Sequence, residues 1–84
     1  MTRIVWTEPA LRDLRRLDRQ MAERVRAAVR RYAETQHGDV RKLEGAGDRY
    51  RLRVGDYRVI FRPEEGRIII VVLHVRHRRD AYRG

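Results

Sequence analysis

The sequence predicts a single α+β domain, in which two N-terminal helices pack on one face of a small, twisted, mostly antiparallel sheet in the order β-α-α-β-β-β. Three observations predict this class. Residues 10–33 repeat apolar side chains at helical spacing, residues 49–75 have the composition of strands, and Gly55-Asp56 marks a tight turn between two of them. At 84 residues, the chain has room for one domain, residues 1–84, and not for two.

The first elements are a short strand and a capped helix. Residues 3–6 place Ile4 and Trp6 on one side of a strand. Thr7 is a suitable N-cap because its hydroxyl can accept a free backbone N–H, and Pro9 falls in the first turn, where a helix needs no donor. The apolar stripe of this helix is Ala10, Leu11, Leu14 and Leu17.

A second helix is predicted to begin at Asp18 and to stop at Gly38. Its apolar stripe is Ala22, Val25, Val29, Tyr32 and Ala33. The outward faces of both helices carry arginines interleaved with the acids Asp13, Asp18, Glu23 and Glu34. This mixture is typical of a solvated helix surface.

After a glycine-containing connector at residues 42–48, the second half of the chain has the character of a sheet. Two strands flank the Gly55-Asp56 turn, residues 63–66 form the next turn, and residues 67–75 form a third strand. The nearly continuous apolar run of this last strand indicates burial on both faces and therefore a central position.

The tight turn fixes the register of the hairpin, because Val54 then lies opposite Tyr57. One face of the hairpin is apolar and can be covered by the helices: Tyr50, Leu52, Val54, Tyr57, Val59 and Phe61. The opposite face carries Arg49, Arg51, Arg53, Arg58, Ile60 and Arg62. No acid occupies an outward strand position of the hairpin to relieve the repulsion among these arginines.

The charge balance favours a polyanionic partner. The formal net charge is +9, and every basic residue except Lys42 is arginine. Arginine stays charged and can bind phosphate oxygens through two parallel hydrogen bonds. The open alternatives are a merely solvated surface and a genome-wide preference for arginine over lysine.

Several classes of site are not supported. The chain has no cysteine and no serine, and it lacks a glycine-rich phosphate loop. His74 and His77 point to opposite faces of a strand, so neither a metal site nor a cofactor is expected. The longest apolar run, residues 68–73, is far shorter than the roughly 20 residues that span a bilayer. The protein is therefore expected to be cytoplasmic.

Three motifs, KLEG (residues 42–45), YRLRVGDYRVIF (50–61) and VRHRRDAYR (75–83), resemble the RelE/ParE superfamily of toxins from bacterial type II toxin-antitoxin systems. The resemblance covers essentially the whole chain and implies a RelE-like fold. For RelE-like members it implies cleavage of messenger RNA in the decoding site of the ribosome, without a cofactor. It also implies an acidic, RelB-like antitoxin that binds and neutralises the toxin in a hetero-oligomer.

The resemblance assigns roles to individual residues. Arg58 and Arg78 match the two phosphate-directed arginines, and Tyr82 matches a C-terminal tyrosine that positions a base. Arg51 and Arg53 stand where RelE members have lysines, and arginine is a poor general base because its pKa exceeds about 12. The other expected substrate contacts are Arg49, Arg76 and Arg79.

Proton transfer therefore needs another group. His77 is the expected base, because histidine has a reference pKa near 6.5, although a structural role for this histidine is an equal alternative. Two other functions stay open. One is a ParE-type inhibitor of DNA gyrase without nuclease activity, and the other is a non-catalytic nucleic-acid-binding module.

Overall fold

The structure, a computed structural model, describes residues 2–45 and 47–81. The strands are β1 (Arg3–Trp6), β2 (Asp39–Lys42), β3 (Tyr50–Val54), β4 (Tyr57–Glu64) and β5 (Ile69–His77). The helices are α1 (Glu8–Arg15), α2 (Arg19–Thr35) and the short α3 (Arg78–Ala81). A 3₁₀ turn, Glu65–Arg67, joins β4 to β5.

The strands form one five-stranded sheet in the order β1-β5-β4-β3-β2. β1 runs parallel to β5, and the other neighbouring strands are antiparallel. β5 lies inside the sheet, as its apolar run predicted, although β4 is the middle strand. α1 and α2 share one core with one face of this sheet, which confirms the predicted α+β class.

The predicted helix caps are confirmed. The Thr7 hydroxyl accepts a hydrogen bond from the Ala10 N–H at 3.4 Å, and the Asp18 carboxylate accepts one from the Met21 N–H at 2.9 Å. The predicted stop of α2 at Gly38 is wrong, because Gln36 takes the left-handed conformation that ends the helix (φ 63°). None of the helices in the described ranges is long and apolar enough to cross a membrane.

Gly38 has a different purpose. A Cβ atom at this position would lie 2.7 Å from Cδ1 of the buried Leu52, so any other residue would force that side chain to shift.

Thr7 also ties α1 to the sheet, because its hydroxyl donates to the Val72 carbonyl at 2.7 Å. We expect Thr7→Ala to lower the free energy of unfolding by about 1–2 kcal/mol, measured by urea denaturation. Thr35→Ala is the matched control, because it removes only exposed hydrogen bonds: the Thr35 hydroxyl donates to the Arg31 carbonyl and accepts from the His37 N–H. That variant should stay within about 0.5 kcal/mol of the wild type. Equal losses in the two variants would contradict the capping role of Thr7.

The register of the hairpin is as predicted, from Val54 opposite Tyr57 to Tyr50 opposite Phe61. Its apolar face is covered by α1 and α2. The buried side chains of the shared core are Ala10, Leu14, Ala22, Val25, Val29, Ala33, Leu52, Val54, Val59, Phe61, Ile70, Val72 and Val75. The rings of Tyr32 and Tyr50 pack against Phe61, with centroids 5.5 and 5.8 Å away.

β2 was not predicted. It pairs antiparallel with β3, so that Arg41 lies opposite Arg51 and Asp39 opposite Arg53. Its sequence, DVRK, has one apolar residue and therefore no alternation that would indicate a strand. β2 forms because the connector after it turns the chain back, so that β3 runs alongside β2. The Leu43 N–H donates to the Arg49 carbonyl at 2.9 Å within this connection.

β5 contains a bulge at Leu73. Val72 pairs with Phe61 and His74 pairs with Ile60, which leaves Leu73 as the extra residue. Strand residues alternate between faces, so the bulge shifts the alternation by one position. Val75 consequently enters the core, while His74 and Arg76 turn to the side of the sheet away from the helices.

Candidate anion-binding face

The side of the sheet away from α1 and α2, called the open face below, carries a row of three arginines. Arg53 on β3 lies opposite Arg58 on β4, which lies opposite Arg76 on β5. Neighbouring strands are about 4.8 Å apart, and like charges directly opposite one another weaken the strand pairing. This set, the arginine row, can be relieved by an anion that several guanidinium groups share.

A second row of residues crosses the open face, displaced by two residues along each strand from the arginine row. Arg41 and Arg51 lie opposite each other, followed by Ile60 and His74. The Nη1 nitrogen of Arg51 is buried and has no hydrogen-bond partner within the described residues. A buried donor without a partner costs about 1–3 kcal/mol, which an oxygen anion at this point would offset.

The margins of the open face are partly neutralised. Arg62 forms an ion pair with Glu64, and the Nε of Arg53 donates to the Gly55 carbonyl at 3.4 Å. Asp39 is opposite Arg53 in register. Arg49 precedes β3 and is exposed. The continuous run of like charge on the open face is therefore the arginine row, which crosses β3, β4 and β5.

His77 does not lie with the arginine row. It pairs with Tyr57 on the helix side of the sheet, where the two rings meet edge to face with centroids 5.3 Å apart. Its Nδ1 accepts a hydrogen bond from the Arg79 N–H at 3.4 Å. The sheet thus separates the predicted base from Arg51 and Arg53.

His77 lines an open cleft of about 500 Å³ at the edge of β5, together with Asp13, Arg16, Leu17, Tyr57, Val75, Arg76 and Arg79. Arg76 belongs both to this cleft and to the arginine row. The structure therefore joins Arg76, His77 and Arg79, three of the predicted site residues, around one end of β5.

Arg78 begins α3 directly after β5, where its N–H donates to the Asp56 carbonyl at 2.7 Å. Its side chain and that of Arg79 are exposed. Tyr82 lies outside the described residues. Over residues 2–45 and 47–81, no group of three His, Cys, Asp or Glu side chains is placed to hold a metal ion.

Asp13 has a role that the sequence did not indicate. It was predicted to lie on a solvated helix surface, but its side chain is only 19% exposed. Because β1 pairs with β5 only as far as Val72, the next part of the β5 edge is open to α1. The Asp13 carboxylate accepts the Val75 N–H at 2.9 Å there, and the same oxygen lies 3.7 Å from Nδ1 of His74.

Known proteins share this architecture. A family model described as the ParE toxin of the type II toxin-antitoxin system parDE matches residues 4–82. A chain of the archaeal RelE-RelB complex from Pyrococcus horikoshii OT3 is 31% identical, with a TM-score of 0.73 and coverage of 92% of this chain and 94% of that one.

Two further structures show the same fold at lower identity. The RelB-RelE antitoxin-toxin complex from Methanococcus jannaschii contains a chain that is 20% identical, with a TM-score of 0.76 and coverage of 94% and 95%. The isolated E. coli RelE toxin is 20% identical, with a TM-score of 0.74 and coverage of 92% and 84%. No protein of curated function matches the chain in sequence.

Proposed function

Since the chain belongs to the ParE toxin family of type II toxin-antitoxin systems, within the RelE/ParE superfamily, we propose that it is a metal-independent endoribonuclease that cleaves messenger RNA on the ribosome. Cleavage would inhibit translation, and a cognate antitoxin would neutralise the toxin. The observation that carries this proposal is the arginine row on the open face.

The arginine row suits the chemistry of RNA cleavage. Attack by the ribose 2′-hydroxyl concentrates negative charge on a pentacoordinate phosphate, and preorganised donors stabilise that charge. Arg58 occupies the centre of the row, between Arg53 and Arg76. We assign Arg58 to the scissile phosphate. Arg53 and Arg51, with its unpartnered Nη1, are assigned to the adjacent backbone.

The remaining site residues keep the roles that the resemblance implies, as predictions. Arg78 is the second phosphate-directed arginine, and Arg49 and Arg79 are outer substrate contacts. Tyr82 is the residue predicted to position a base. Proton transfer by His77 also stays a prediction, although its place behind the sheet does not favour it.

The direct test uses purified protein, ribosomes programmed with a defined messenger RNA, and mapping of the new 3′ ends. We expect cleavage of the messenger RNA within the decoding site. The same RNA should stay intact when ribosomes are omitted. Addition of the antitoxin should abolish cleavage. An intact message, at a protein concentration that stops growth in cells, would overturn the proposed function.

The antitoxin is proposed to be acidic, since its partner carries a net charge of +9. In support, two of the similar structures are complexes of RelE with RelB. Between 50 and 200 mM salt, proteins with six to ten phosphate contacts lose about 10³–10⁵-fold in affinity for nucleic acid. We expect a smaller loss for the antitoxin, because apolar contacts add to its binding. Titration of both complexes against salt measures this, and equal slopes would contradict it.

A second function is favoured by the family model, whose description is that of a ParE toxin. In this case the protein would inhibit DNA gyrase through protein contacts and would have no nuclease site. Gyrase cleavage complexes would then accumulate on plasmid DNA while ribosome-bound messages stay intact. RNA binding with neither activity would instead indicate a non-catalytic nucleic-acid-binding module.

A further inference from the structure

His74 is the histidine that shares the open face with the arginine row. The chain has three histidines, all within the described residues. His37 lies in the loop after α2, and His77 faces the helix side. His74 precedes Arg76 by two residues on the same face of β5, which corresponds to about 7 Å along a strand. It is therefore the titratable ring next to the proposed phosphate site.

The contacts of His74 leave one ring nitrogen for a substrate. Its Nδ1 lies 3.5 Å from Nη2 of Arg76 and 3.7 Å from Oδ2 of Asp13. Both contacts involve Nδ1, and Nε2 makes no hydrogen bond or ion pair within the described part of the chain. The side chain is 35% exposed, so a substrate on the open face can reach it.

Asp13 is held in place independently of His74. Its carboxylate accepts the Val75 N–H at 2.9 Å, which fixes it against the backbone of β5 just after the bulge. The 3.7 Å between this carboxylate and Nδ1 of His74 is longer than a hydrogen bond. A carboxylate at this position can orient the imidazole ring, as in other acid–histidine pairs.

We propose that His74 is the general base of RNA cleavage and that Asp13 is its positioning residue, an assignment that rests on the proposed nuclease function. Nε2 of neutral His74 takes the proton of the ribose 2′-hydroxyl, and the 2′-oxygen forms a bond to phosphorus as the bond to the 5′-oxygen breaks. Water protonates the leaving 5′-oxygen, and the resulting hydroxide takes the proton back from His74. The products carry a 2′,3′-cyclic phosphate and a 5′-hydroxyl.

Arg76 links substrate binding to the state of His74. A guanidinium group can only donate, so the contact of Arg76 with Nδ1 suits the tautomer with its proton on Nε2, whereas the nearby Asp13 carboxylate suits the tautomer with its proton on Nδ1. A phosphate in the arginine row draws Arg76 away from the ring, because a charge-assisted bond to phosphate is stronger than one to a neutral imidazole. Nδ1 then carries the proton and faces Asp13, which leaves Nε2 as the base.

The test measures single-turnover cleavage on programmed ribosomes, with RNA and ribosome binding measured separately. General bases contribute about 10²–10⁴-fold, so His74→Gln should lower the rate constant by about 10²-fold or more with unchanged binding. His37→Gln is the matched control and should cleave like the wild type. Added imidazole should restore cleavage in part to His74→Ala but not to Arg58→Ala.

Asp13→Asn separates positioning from a structural role. The asparagine oxygen can still accept the Val75 N–H, so the free energy of unfolding should stay the same. Loss of the negative charge should lower kcat with KM unchanged, and Asp13→Glu should recover part of the activity. A drop in stability without a change in kcat would show that Asp13 is only structural.

The outcomes distinguish this assignment from the proposed function. If the wild type cleaves and His74→Gln cleaves within about twofold of it, the assignment of His74 is overturned while the nuclease function stands. A loss of cleavage in His77→Gln but not in His74→Gln would likewise overturn the assignment of His74 and leave the nuclease function standing. If the wild type leaves the message intact on ribosomes, both the proposed nuclease function and the assignment of His74 as its general base are overturned.

Discussion

Replacement of Arg58 by alanine should lower the rate of messenger RNA cleavage by about 10²–10³-fold, the typical effect of removing one preorganised donor from a developing negative charge. Arg58 lies in register between Arg53 and Arg76, on the middle strand of the sheet. No other position of the arginine row has a guanidinium neighbour on both sides. Single-turnover cleavage on programmed ribosomes measures the effect.

Two variants make this test specific. Arg58→Lys keeps the charge but loses the planar pair of donors, so it should fall between the wild type and Arg58→Ala. Arg30→Ala removes an exposed arginine from α2 and should leave the rate unchanged. Equal losses in Arg58→Ala and Arg30→Ala would mean that net charge, rather than the arginine row, determines activity.

The largest effect on stability is expected at Phe61. Its side chain is 3% exposed and packs against the rings of Tyr32 and Tyr50 beneath the hairpin. Phe61→Ala should lower the free energy of unfolding by about 3–5 kcal/mol, through lost burial and the cavity left behind. Since small domains have about 5–15 kcal/mol in total, a substantial part of the stability should be lost. Urea denaturation at equilibrium measures it.

Ile68 provides the apolar control for this variant. It is 58% exposed, so Ile68→Ala should change stability by no more than about 0.5 kcal/mol. Phe61→Leu fills most of the space and should lose clearly less than Phe61→Ala. A loss below about 1 kcal/mol in Phe61→Ala would contradict the central position of this ring in the core.

The parts of the fold that local chemistry controls could be predicted from the sequence. Gly55-Asp56 fixed the register of the hairpin, because a two-residue turn leaves one way to pair the strands. Thr7 and Asp18 marked the helix starts through their capping oxygens. The cationic face followed from the same register, since strand residues alternate between the two faces.

The remaining features depend on contacts between distant segments. The four residues of β2 carry no strand pattern and become a strand only beside β3. Asp13 has the spacing of a surface acid, and its contact with Val75 exists because β1 ends early against β5. The position of His74 on the open face depends on the bulge at Leu73, which an apolar run in the sequence does not reveal.

Because of the bulge at Leu73, β5 both packs apolar side chains in the core and presents His74 and Arg76 on the open face. The side chains of Ile70, Val72 and Val75 lie in the core, whereas those of residues 74 and 76 lie on the open face. If the proposed function holds, substitution at those two positions is therefore expected to give a folded but inactive protein, which would serve as a bait for isolating the antitoxin.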